Sequence, residues 1–387
     1  MENKFDIKEA WVKIKQKEWF SIFTGSLLAI LFGILIGIVL ILILNPSNAS
    51  LGIGRLLKGS FNHPRGAMIG FGQLLYNSTP IILTGLAVAF AFKTGLFNIG
   101  ASGQYTLGLF VASLIGILGD KLGSFQWIVA LLAGGLAGAI WGAIPGIFKA
   151  FFNVHEVITS IMFNYVGIYF VVGMYKSEFL STRVINGTTN RTVVVDQAAR
   201  TPYGPFDTWF KNSGLDMGII IAVFVAISLY LILSKTVFGR ELKTVGLNKD
   251  AAKYSGVNEK KNIILSMAIS GFVAGLGGAL WILAPSARNL GNAFPLEEVI
   301  AGAGFDGIPV ALLANNNPIA VIFTTIFVEY IKLGGGAMQS VGFVSEIVDI
   351  IVAIILYFSA FTLFMTQYFS KIMKKRSRKL VEKGSEV

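Results

Sequence analysis

The stretch KTVFGRELKTVGLNKDAAKYSGVNEKK, Lys235–Lys261, lies between two long apolar runs. It holds seven basic residues (Lys235, Arg240, Lys243, Lys249, Lys253, Lys260 and Lys261) against three acids, Glu241, Asp250 and Glu259. A lipid-embedded chain has no use for so long a polar island unless something in the aqueous phase touches it. Lys/Arg excess marks the cytoplasmic side of a membrane protein, so residues 235–261 are expected inside the cell as a cytoplasmic coupling loop. Within the island, Asn248 is placed to cap a short helix through Asp250–Tyr254, and Gly256 to stop it. Ala251 and Ala252 give that helix a small apolar surface suited to a groove on a soluble subunit. The candidate coupling residues are therefore Asn248, Asp250, Ala251, Ala252, Tyr254 and Gly256.

Composition points the same way. The chain is 54% hydrophobic and 14% charged, where soluble domains average about 25% charged residues. Mean hydropathy is +0.69. Phe20–Leu44 is an uncharged run of about 25 residues, long enough to cross a hydrocarbon core of about 30 Å with some tilt, and reads as an uncleaved signal anchor. Zero cysteines exclude disulfides, thiol catalysis and cysteine metal sites. The net charge of +11 sits at segment ends rather than on one solvated face, which fits membrane-flanking positions and not nucleic-acid binding.

Outward from the island, the sequence predicts an all-α polytopic membrane protein of about ten transmembrane helices. Residues 1–19 set Ile7, Trp11 and Ile14 on one helical stripe between lysines and read as an interfacial helix. Residues 20–370 form the transmembrane domain, with apolar runs at 20–44, 66–92, 94–118, 125–151, 157–175, 217–233, 263–283, 299–314, 319–333 and 347–369. One short run, Val299–Ala314, contains Asp306 and Pro309 and has the makings of a broken or re-entrant element. Placing the basic start, the island and the basic tail 371–387 on one side requires even crossing counts, which favours ten spans. Both termini are then cytoplasmic, and residues 176–216 form a long external loop fit for an external partner or a cap over the path.

Enzyme signals are poor. His63 and His155 lack metal-ligand spacing, no catalytic constellation stands out, and no phosphate-binding loop occurs. No metal and no cofactor is expected on this chain; ATP, if it drives transport, is hydrolysed by partner subunits. Buried polar residues are more informative, because each must be satisfied inside lipid. FNIGASGQ (97–104) places Asn98, Ser102 and Gln104 among glycines, followed by Asn164–Tyr165 and by Phe305–Asp306. These are candidates to line a path for a neutral, hydrogen-bonding solute, or to bond one another across helices. Glycine stripes at 134/138/142 and 271/275 read as helix packing.

The blocks TGLAVAFAFKTGLFNIGASGQY (84–105), WGAIPGIFKAFFNVHEVITSIMFNY (141–165), GRELKTVGLNKDAAKYSGV (239–257), ILSMAISGFVAGLGGAL (264–280) and GFDGIPVALLANNNP (304–318) together resemble permease subunits of bacterial ABC importers. The likeness is to the branched-chain amino acid and ribose permease superfamily, and within it to the nucleoside/purine type that works with basic-membrane-protein lipoproteins. That resemblance implies the ABC-importer permease fold, a second homologous permease, two cytoplasmic ABC ATPases, an extracellular substrate-binding lipoprotein and a nucleoside substrate, in the bacterial cell membrane. One departure stands out: the family's FNIG block usually carries an acid where this chain has Ser102. A sugar or branched-chain amino acid importer is the alternative within the architecture, and a secondary transporter the alternative outside it.

Overall fold

The computed structural model describes residues 18–286, 290–344 and 346–360. All but two residues of the expected interfacial helix, and the whole tail 371–387, lie outside them. Ten helices coincide with the ten apolar runs: α1 (Glu18–Leu44), α3 (Ala67–Lys93), α4 (Ala101–Leu118), α5 (Gln126–Phe152), α6 (Glu156–Lys176), α9 (Gly218–Lys235), α12 (Glu259–Leu283), α13 (Gly302–Leu313), α14 (Pro318–Met338) and α15 (Glu346–Ala360). Shorter helices fill the connections: α2 (Ala49–Lys58), α7 (Glu178–Val184), α8 (Phe206–Trp209), α10 (Val237–Leu247) and α11 (Lys249–Tyr254). The sole sheet among the described residues is a two-residue antiparallel pair, β1 (Ile185–Asn186) with β2 (Arg191–Thr192).

The long helices are predominantly apolar, as lipid-embedded helices are, with Glu329 and Lys332 as charged exceptions in α14. Among the described residues, seven are long and apolar enough to cross a membrane: α3, α4, α5, α6, α9, α12 and α14. The run at 299–314 behaves otherwise. Its helix α13 has 12 residues, about 18 Å, and falls short of a bilayer core. The chain before it is irregular. Leu283 accepts from Thr201 N–H and touches the Gly116 level of α4, whereas Gly304 abuts the backbone of Ser102. From residue 116 to residue 102 is 14 residues of α4, about 21 Å of depth. Val299–Ala314, which the sequence marks as a candidate broken or re-entrant element, is an irregular descent followed by a half-helix. Such backbone persists at membrane depth only where protein buries it or a cavity solvates it.

Two compact units divide the chain, residues 58–334 and residues 1–57 with 335–387. In the first, glycines set the closest helix approaches. A Cβ on Gly134 would lie 2.8 Å from Ala279 Cβ, one on Gly275 2.6 Å from Gly134 O, and one on Gly142 2.6 Å from Met267 O; one on Gly138 would meet the carbonyl of Gly271. The stripes at 134/138/142 and 271/275/279 therefore form a single α5–α12 seam, with Gly108 of α4 against Gly275. Small residues allow this because in lipid the attraction between helices is van der Waals contact rather than water exclusion. In the second unit, α1 packs on α15 through Gly37, where a Cβ would lie 2.8 Å from Ile351.

Gly138→Val should be strongly destabilising, by about 1–3 kcal/mol from overpacking alone, because a backbone carbonyl cannot step aside. Gly173→Ala, where an added methyl meets nothing within 4 Å, should cost nothing. Melting temperatures of the two purified variants check the contrast.

Candidate solute path and coupling site

Asn98, Ser102, Gln104 and Asn164 come together, all buried. The α3 helix ends at Thr94, and the turn 94–100 leads into α4. Asn98 Nδ2 donates to Gln104 Oε1 and to Ser270 Oγ of α12, both at 2.7 Å; Gln104 Nε2 returns a bond to Asn98 Oδ1 at 3.1 Å. Ser270 passes the chain on to the Ala87 carbonyl at 2.6 Å. From α6, Asn164 accepts from Gly103 N–H (2.8 Å) and donates to the Ile99 carbonyl (3.1 Å). Ser102 donates to the Ala301 carbonyl at 2.6 Å, and Thr84 to the Ala303 carbonyl at 2.8 Å. Six side chains, Thr84, Asn98, Ser102, Gln104, Asn164 and Ser270, thus tie α3, α4, α6 and α12 to one another and to the backbone at Ala301 and Ala303, where α13 begins.

The departure at Ser102 gains a physical reading here. The hydroxyl is a donor facing a carbonyl oxygen; an ionised acid at the same point would place acceptor against acceptor with Gly304 packed on the backbone.

Tyr165 is not brought to this network. One residue on from Asn164 it turns by about 100°, and it is 52% exposed. Phe305 is 37% exposed. Asp306 forms an ion pair with Lys332 of α14, Oδ1 to Nζ 2.6 Å, with Glu329 Oε1 at 3.9 Å from the same ammonium.

The island has the expected cap and stop. Asn248 Oδ1 accepts from Ala251 N–H at 3.0 Å, and Gly256 ends α11 at φ +77°, a backbone conformation that glycine adopts without strain. The tip is different from expectation. Ala252 is fully buried, packed with Ala91, Leu96, Val245, Ile263 and Met267, so it anchors the island instead of presenting a surface; Ala251 and Asp250 remain exposed. The residues that protrude are Leu247, 88% exposed, and Tyr254, 94% exposed. Leu247 was missed because its position in α10 follows only from how that helix docks. The docking is backbone on backbone: a Cβ on Gly246 would lie 2.6 Å from Thr94 C, and one on Gly95 (φ +76°) 2.5 Å from Gly246 Cα.

Two cavities open beside the irregular segment. One, about 200 Å³, is lined by Tyr76, Pro80, Asp216, Trp281, Ala303 and Glu329 among others. The second, about 340 Å³, includes Tyr105, Trp281, Phe294, Glu297, Ile300 and Ala303. They share Trp281 and Ala303. Ser102 and Thr84 thus hold, through Ala301 and Ala303, the backbone that forms the cavity wall.

Residues 70–360 match the family described as branched-chain amino acid transport system / permease component. The chain belongs to this permease family. It is 37% identical to the guanosine ABC transporter permease protein NupP of Bacillus subtilis over 90% of this chain and 96% of that protein. It is 32% identical to the nucleoside ABC transporter permease protein NupB of Lactococcus lactis, over 86% and 89%. The glucose ABC transporter permease protein TsgB13 of Haloferax volcanii is 28% identical over 78% and 79%. The two bacteria each hold a second, more distant match, 25% and 26% identical. No solved structure matches the chain. As a member of this family the chain is a multi-pass membrane transport component.

The permease's cavity residues were not legible as a group in the sequence. Tyr76, Trp281 and Glu329 sit in three separate helices, and Asp216 in a loop. Asp216 Oδ2 accepts from the Thr201 hydroxyl, and Oδ1 from Gly218 N–H at 2.9 Å. Burial nevertheless pushes its carboxyl up to about 6, against those two bonds, which favour the ionised form. An acid whose folded value is raised binds its proton more tightly when folded, so its contribution is complete below about 4 and is lost as pH rises through about 6. The melting temperature of the purified permease should therefore fall between pH 4 and 7, and Asp216→Asn should flatten that slope.

Proposed function

We propose that this chain is one of two permease subunits of an ATP-driven importer that carries nucleosides into the cell. The observation that supports this most is the end-to-end likeness to the guanosine permease of Bacillus subtilis, at 37% identity over 90% of this chain. A second match in each of the same two bacteria supports a paired, non-identical permease. The basic island then faces the cytoplasm and receives an ABC ATPase on Leu247 and Tyr254, while residues 176–216 face a substrate-binding lipoprotein outside. Both termini are cytoplasmic. This chain hydrolyses no ATP itself.

The mechanism follows from what is rigid. An ATPase that moves α10–α11 moves Gly246, and with it the Gly95 turn whose backbone it abuts. Ala252, packed among residues of α3, α10 and α12, prevents the island from sliding free. The Asn98–Gln104–Ser270 bonds and the Ser102 and Thr84 bonds link that turn to Ala301 and Ala303, the cavity wall. Power applied at the island then opens or closes the two cavities about the solute, first to one side and then to the other. The candidate pathway residues Asn98, Ser102, Gln104 and Asn164 act as this linkage, and Tyr165, Phe305 and Asp306 line the surface toward the second permease. A sugar as solute is the second reading, favoured by the glucose permease match.

Reconstituted with its paired permease, ATPases and receptor, the chain should drive ATP-dependent uptake of radiolabelled nucleosides. Glucose, ribose or leucine taking their place would replace the nucleoside reading. Tyr254→Ala should weaken ATPase association by roughly 30-fold or more, the loss of an aromatic anchor of about 2 kcal/mol. Ala252→Glu should instead reduce the amount of folded permease. Unchanged association and uptake in Tyr254→Ala with Leu247→Ala would remove the island from the coupling.

A further inference from the structure

One group in the smaller cavity has spare hydrogen-bonding capacity. Glu329 of α14 is 5% exposed, lines the cavity wall, and its Oε1 has no hydrogen-bond partner. Lys332 pairs with that oxygen only at 3.9 Å, beyond hydrogen-bond distance, and lies closer to Asp306 Oδ1, at 2.6 Å. Three other polar walls, Tyr76, Thr79 and Asp216, already have partners, and Thr79 donates to the Leu75 carbonyl at 2.9 Å. Asp216 accepts from Thr201 and Gly218, and the Tyr76 hydroxyl accepts from Asn292 Nδ2 at 2.8 Å. The rest of the wall is apolar apart from Asn77, with Pro80, Ile81, Leu280 and Trp281.

A carboxylate held in such a place is costly unless something completes its hydrogen bonds. What completes them must offer donors, fit a chamber of about 200 Å³ and tolerate apolar, partly aromatic walls. A nucleobase meets all three conditions. Among bases, a guanine-type edge suits a carboxylate best, because its ring N–H and adjacent amino group give two donors side by side. Uracil offers one N–H between two carbonyl acceptors, and adenine an amino group beside an acceptor nitrogen. Both set acceptors against the carboxylate.

We propose that Glu329 is a specificity-determining acceptor of the solute path, receiving the N–H donors of a purine base of the guanine type in the Tyr76–Trp281 chamber. The larger adjoining cavity leaves room for the ribose. The proposal rests on the nucleoside reading above and deepens it by naming the residue that reads the base.

The test is ATP-driven uptake by the complete importer in proteoliposomes, with guanosine, inosine, adenosine and uridine, in wild type, Glu329→Gln and Glu329→Asp. The receptor is the same throughout, so its own preference cancels between wild type and variant. Loss of a charge-assisted pair predicts a fall of about 10- to 100-fold in guanosine kcat/KM for Glu329→Gln. Uridine should change less than about twofold, and Glu329→Asp should be intermediate. An equal fall for every nucleoside would mean a purely structural role and overturn the proposal, as would an unchanged guanosine-to-uridine ratio of kcat/KM. Should Glu329→Gln fail to assemble, binding of guanosine and 1-methylguanosine to the receptor-free wild-type permease–ATPase complex decides. A preference of tenfold or more for guanosine supports the proposal, and equal binding overturns it. Failure of the wild-type importer to take up any nucleoside would instead overturn the nucleoside reading itself, in an arm that involves no variant.

Discussion

Within a membrane a polar group that is not bonded to protein has nothing else to bond to, and this constraint organises the permease. The FNIG turn joins α3 to α4 and leaves polar groups outside either helical ladder. Asn98, Gln104, Asn164, Ser102 and Ser270 close it with side-chain bonds to one another and to backbone groups. The irregular descent before α13 is the second such segment. It is met partly by Ser102 and Thr84 and partly by cavities, so the same shortage of partners that demands the network also leaves space beside it.

Glycine supplies the complementary constraint, which is distance. The α5–α12 seam brings backbones so close that a single methyl group would meet a carbonyl. At the Gly95–Gly246 contact the island touches the helix-breaking turn with no side chain between. Contact of this kind transmits displacement with little slack, because backbone atoms have no rotamer into which to retreat. Interiors packed to this density move as blocks rather than deform. That is the property a coupling element needs if force applied at Leu247 and Tyr254 is to reach Ala301 and Ala303.

Much of this was legible in advance. Ten apolar runs gave ten helices, and Asn248 and Gly256 marked the bounds of α11 because capping and left-handed backbone depend on residue type alone. The polar cluster at 97–104 was visible as a group that needed partners, but which partners was not. Its alternatives, a solute-lining surface or interhelical bonds, differ only in which way side chains point. The structure turns Asn98 and Gln104 onto each other, Asn164 onto the backbone of Gly103 and Ile99, and Tyr165 outward. It likewise buries Ala252 and exposes Tyr254, two residues apart on one short helix, because the docking of α11 on α3, α10 and α12 selects the face.

Sequence by itself determined the membrane class, the helix count and the presence of a water-facing basic island, since hydropathy and charge act locally and accumulate along a chain. It also carried the family, through blocks spread over most of its length. Only tertiary structure decided that Val299–Ala314 enters as irregular chain and a half-helix, that Leu247 and Tyr254 form the island's tip, and that Tyr76, Asp216, Trp281 and Glu329 share a cavity. Those outcomes depend on contacts between residues tens to hundreds of positions apart, and no local pattern encodes which of two faces a helix will bury until its neighbours are in place.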